Sequence, residues 1–226
     1  MPGHERDFDF FWRHRADQPD RYRFPNWAFG VDLYREQINR PEQYGRLFAD
    51  LRSRGELEQQ ERNIVCPRLF ISHQKTDEPY ALAIAHLAQQ HGFYFWLDIL
   101  DPALAIAGGG QSDPLAIAII IEMALLNCSH VIAVMTPNTK DSTWVPYEYG
   151  RVKKLTPVTS QASAWVFPGM MPLPEYLYLG PRHRTEGEIA AWLDDEMRRW
   201  PSGGDCARKR DRIWRAMPDV PTRLPG

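Results

Sequence analysis

From Arg68 onward, short β-like runs take turns with helical patterns, and this alternation restricts the chain to very few folds. The runs are RLFIS (68–72), FYFWLD (93–98), HVIAVM (130–135), SAWVF (163–167) and EYLYL (175–179). Between the first two, Glu78 to His91 sets Leu82, Ile84, Ala85 and Leu87 at helical spacings, and Gly92 supplies a stop. Asp113-Pro114 is a strong helix start, because Asp caps the first turn and proline suits the first helical position. The helix it opens is apolar nearly all round from Leu115 to Leu126, apart from Glu122, which predicts burial. Two more helices are expected at Ser142 to Leu155 and at Thr185 to Trp200, the latter with Ile189, Trp192, Leu193 and Met197 on one face. Strands joined through helices pair in parallel, and the helices then cover both faces of the sheet.

The expected core is therefore a five-stranded, flavodoxin-like α/β parallel sheet over residues 66–200. Residues 1–65 read as a mainly helical or irregular N-terminal extension. Its helix candidate, Pro41 to Arg62, has a narrow stripe of Leu47, Leu51 and Leu57. Phe8, Phe10, Phe11, Trp12, Phe24, Trp27 and Phe29 are too many aromatics for a solvated arm, so it is expected to pack on the main domain or a partner. The tail, 201–226, is basic and contains prolines, and it is expected to be loosely ordered.

Charge and cysteine usage exclude several classes. Lys and Arg number 27 against 29 Asp and Glu, a net charge of −2, which makes nucleic acid an unlikely partner. The longest apolar stretch, 115–126, falls short of the roughly 20 residues a membrane helix needs. The first residues, MPGHERDFDFFWRHR, are too charged for a secretory signal. Cys66, Cys128 and Cys206 are far apart and form neither a zinc motif nor a disulfide framework. The expectation is a soluble, cytoplasmic protein without membrane contact, metal or bound cofactor.

Ligands of open parallel sheets bind outside the carboxyl ends of the strands. That rule selects Ser72, His73, Gln74, Lys75 and Asp77 after the first strand and Trp96, Asp98 and Asp101 at the second. After the third it selects Thr136, Pro137 and Asn138. The helix that follows opens on this same edge, with Trp144 and Glu148 four residues apart on one helical face. Gly108-Gly109-Gly110 lacks dinucleotide-fingerprint spacing and reads as a flexible loop.

RLFISHQKTDEP (68–79), FYFWLD (93–98), SHVIAVMTPN (129–138) and STWVPYEYG (142–150) together resemble the Toll/interleukin-1 receptor (TIR) domain, particularly its prokaryotic members. The resemblance spans roughly 66–200 with the segments in the right order. It implies an enzyme that cleaves NAD+ between nicotinamide and ribose, with Glu148 as the catalytic carboxylate. Trp144 matches an aromatic of bacterial members and would wall the nicotinamide. Ser72, His73, Gln74, Trp96 and Asp98 would line the substrate site. The family also implies self-association, a nucleotide product that acts on a downstream effector, and a setting in antiviral defence. The RDxxPG-type signature of animal receptors is missing, since Asp98 is followed by ILDPALAIAGGGQSDP.

The chemistry is consistent with one carboxylate. Glycoside hydrolysis normally needs an acid for a poor leaving group. Nicotinamide departs from NAD+ as a neutral molecule, so what remains is to stabilise the ribosyl cation. Plainer readings stand beside these. Glu148 could merely complement the helix dipole, Trp144 could be core, Asp98 a loop acceptor and His73 structural. Glu122 could satisfy backbone or face an oligomer contact. A non-enzymatic TIR interaction module and a nucleoside deoxyribosyltransferase-like enzyme are the alternative functions.

Overall fold

The computed structural model describes residues 67–101, 104, 114–126, 128–151, 161–200 and 224–225. The extension over 1–65, most of the glycine-containing loop, the Asp113 cap, the third helix beyond Arg151 and nearly all of the tail lie outside the described residues.

Five strands form one sheet: β1 (Arg68–Ser72), β2 (Tyr94–Trp96), β3 (His130–Met135), β4 (Ala162–Val166) and β5 (Arg182–His183). Their order is β2-β1-β3-β4-β5, and every pairing is parallel. The helices are α1 (Glu78–Gln90), α2 (Pro114–Leu126), α3 (Trp144–Arg151) and α4 (Glu186–Arg199). The expected flavodoxin-like α/β architecture is therefore present.

Successive strand residues point to opposite faces, so each strand feeds two cores. Leu69, Ile71, Ile132, Val134 and Trp165 face α1 and α4 and pack with Ile84, Ala88, Ile189 and Leu193. Phe70, Val131, Ala133, Met135 and Ala164 face the other way, toward Ile121, Leu125, Val145 and Tyr149 of α2 and α3. Both faces of the sheet are covered, which accounts for strands that are apolar throughout rather than alternating.

Local signals explain the helix ends. Gly92 takes φ 83°, a left-handed conformation that only glycine adopts cheaply, and its N–H closes on Gln89. Thr185 caps α4 by accepting from Glu188 N at 3.2 Å, while Glu188 accepts from Arg184 N at 2.6 Å. Ser142 accepts from Val145 N at 3.2 Å and so caps the entry to α3.

Three sequence expectations need correction. EYLYL is a 3-10 turn, Glu175–Leu179, and the fifth strand is Arg182–His183. Its alternating pattern mimics a strand, but Pro174 and Gly180 confine it to a tight turn that buries Leu177 and exposes Tyr178 and Leu179. Gly180 must be glycine, since a Cβ there would stand 2.1 Å from the Ala162 carbonyl oxygen. Next, α2 is not buried all round: Leu115 is 67% exposed, whereas Ile121, Ala124 and Leu125 later in the helix join the core. Among the described residues, Glu122 hydrogen-bonds side chains rather than backbone. It pairs with Arg151 at 3.3 Å and accepts from Tyr147 Oη, tying α2 to α3.

Candidate active site

The strand order reverses between β1 and β3, and the crevice at their carboxyl ends is the natural ligand position of such a sheet. Ser72, the last residue of β1, sits there beside Ala133 of β3. Its hydroxyl donates to Glu148 Oε2 at 2.5 Å. Glu148 is only 7% exposed, in the second turn of α3. Burial pushes its carboxyl up to about 7, the Ser72 hydrogen bond opposes that shift, and the nearby Asp98 charge adds to it.

Asp98 opens the 3-10 turn that follows β2. It accepts from Ile99 N at 2.6 Å, and its Oδ1 lies 3.4 Å from His73 Nε2. The His73 side chain is 1% exposed, whereas that of Asp98 is 42% exposed. Desolvation raises the Asp98 carboxyl above its ordinary range, with His73 and the Ile99 N–H pulling the other way. Ser72, His73, Asp98 and Glu148 are thus brought together from β1, the turn after β2, and α3.

The remaining sequence candidates fall elsewhere. Trp96 is buried, stacked on Phe70 at 4.6 Å, with its indole N–H donated to Asp101 at 3.0 Å. It shapes the apolar core beneath the edge. Gln74 leads into the 3-10 turn Lys75–Asp77, and its carbonyl accepts from Asp77 N at 2.7 Å. Trp144 is 40% exposed and lies edge-on to Tyr147 at 5.9 Å, so it is not a core residue.

Asp77 was legible only as one of several residues on the right edge, and the structure gives it a distinct role. It stands at the start of α1 but does not cap it. Its buried carboxylate instead accepts from Thr136 Oγ1 at 2.7 Å and from Asn138 Nδ2 at 2.8 Å. That bridge ties the loop after β1 to the loop after β3, and so fixes the approach to α3. A capping-type sequence position concealed it, because only the fold brings the two loops together. Among the described residues, no group of three or more His, Cys, Asp or Glu side chains is arranged to hold a metal ion.

The fold and edge define a class: a doubly covered parallel sheet with a buried carboxylate at its switch point. A family model described as the TIR domain matches residues 69–183, half of the chain. The chain belongs to the TIR domain family. Comparisons with curated proteins and with solved structures each found no match. TIR domains commonly self-associate, and the family includes NAD+-cleaving enzymes. No helix among the described residues is long and apolar enough to cross a membrane.

Proposed function

We propose that this TIR domain cleaves NAD+ at the nicotinamide–ribose bond, with Glu148 as the catalytic carboxylate. The observation that carries the reading is one buried glutamate, hydrogen-bonded by Ser72, at the switch point of the sheet. The C1′–N bond breaks with its electron pair passing to the nicotinamide nitrogen, which leaves neutral. The ribosyl cation that remains is offset by the ionised Glu148 in a site largely removed from water, where a charge acts strongly. Ser72 fixes the carboxylate against rotation, and Trp144 offers an exposed aromatic face to the leaving ring. Capture of the cation by water gives ADP-ribose; capture by another group of the same or a second molecule gives a cyclic or conjugated product.

A carboxyl held near 7 is about half ionised at neutral pH, so cleavage is expected to rise with pH through that region. The fitting biological role is a cytoplasmic NAD+-consuming or signal-producing step in antiviral defence, acting through self-assembly and a downstream effector. Incubating the purified chain with NAD+ and separating the products tests the reading directly. Intact NAD+ across the pH range, with the protein assembled, would overturn it.

A further inference from the structure

The cleft contains two carboxylates and little positive charge to balance them. Glu148 meets one hydroxyl, from Ser72 at 2.5 Å, and senses the charge of Asp98. Asp98 meets the His73 imidazole at 3.4 Å and the Ile99 N–H at 2.6 Å, with Asp101 as a further negative neighbour. Among the described residues, no Lys or Arg pairs with either carboxylate.

The two carboxyls also differ in reach. Glu148 is sealed, while the Asp98 side chain is 42% exposed and meets an entering charge first. His73 is buried behind it, and its Nε2, which has no hydrogen-bond partner, lies 3.4 Å from Asp98 Oδ1.

We propose that Asp98, beside His73, is the specificity-determining charge of this cleft: it selects a positively charged ring base over its neutral counterpart. This rests on the cleavage reading above, in which the selected group is the pyridinium of oxidised nicotinamide rather than the uncharged dihydropyridine. The physical basis is Coulombic: a half-exposed carboxylate held by the Ile99 N–H, with no Lys or Arg paired to it among the described residues, gains a partner in a cation and none in a neutral ring.

The test uses two small probes, cationic 1-methylnicotinamide and neutral nicotinamide, titrated calorimetrically at neutral pH. The wild-type chain is expected to bind the cation about tenfold more tightly, a partly exposed charge contact being worth that order. In Asp98→Asn the preference is lost. Asp98→Glu restores the preference. Equal affinities in the wild type, or a preference retained in Asp98→Asn, would overturn the proposal. If Asp98→Asn does not fold by circular dichroism, the wild-type pair of titrations decides alone. NAD+ left intact by a protein that still prefers the cation sinks only the cleavage reading; NAD+ cleaved without any cation preference sinks only this one.

Discussion

The chain contains two Ser-His dipeptides, Ser72-His73 and Ser129-His130, and the parallel sheet sends them to opposite edges. The first ends β1 and the second begins β3. Each histidine has a carboxylate partner: Asp98 at 3.4 Å from His73 and Glu196 at 3.2 Å from His130. The surroundings then diverge. His130 lies among Phe93, Trp192 and Trp200, its Nδ1 meets Ser129 Oγ at 2.8 Å, and Glu196 is also held by Arg199 at 2.9 Å. Every polar group of that set is spoken for, and the aromatic rings keep water out. At the other edge the hydroxyl of Ser72 is given to Glu148, and the Asp98 carboxylate reaches solvent. Similar side chains thus make a structural knot at one end and a cleft with a solvent-reaching carboxylate at the other, because only one end is left accessible and short of counter-charge.

The largest expected effect breaks this comparison at the Glu148 edge. Glu148→Gln keeps the Ser72 hydrogen bond but removes the charge, and NAD+ turnover is expected to fall by about 10²–10³. Near wild-type turnover by the folded variant would place the chemistry elsewhere. Stability should move the opposite way. A folded carboxyl at about 7, against an ordinary 4.5, holds its proton better than the unfolded chain does. Its contribution is therefore fully present below 4.5 and is lost as pH rises through 7, a decline of about 3 kcal/mol. Denaturant titrations at several pH values should show this alkaline decline in the wild type and not in Glu148→Gln.

The structural knot predicts the reverse. Burial lowers the His130 value against the pull of Glu196, so the unfolded chain binds that proton better and stability falls as pH drops below the ordinary histidine range. His130→Ala should flatten this acid limb. It should also cost about 2–3 kcal/mol, from lost ring contacts and a partly unpaired Glu196. Turnover per folded molecule is expected to be unchanged, and a selective loss of turnover would blur the distinction between the two edges. The smallest stability effect belongs to Trp144→Ala. At 40% exposure the ring is expected to contribute about 1 kcal/mol or less, whereas a core tryptophan would cost about 3–5 kcal/mol. Its removal should lower turnover while the melting temperature moves little.

Much of this architecture was legible in the chain. RLFIS and HVIAVM are strands over the residues expected, and Gly92 and Thr185 mark helix ends as their chemistry requires. These signals are local, carried by side-chain periodicity and by backbone preference. EYLYL failed because its alternation is overridden by flanking proline and glycine, and by the need to bring Arg182 into register with Ala164. Glu148 was reachable from its place early in the helix after the third strand, whereas the role of Asp77 was not, since its two partners lie about sixty residues away.

By itself the sequence determined the alternation of strand and helix, hence parallel pairing, two covered faces and the edge on which ligands bind. Its ordered segments also sufficed for the resemblance to the TIR family. Only the tertiary structure decided which Ser-His pair lies beside Glu148 and Asp98 at the carboxyl edge. The two dipeptides are nearly the same locally, and their difference arises from strand direction and from what packs against each end. The direction of β1 turns His73 toward Asp98 and the crevice, while the start of β3 places His130 under α4. Accessibility and the balance of charge around a side chain are properties of surroundings assembled from distant segments, and no local pattern encodes them.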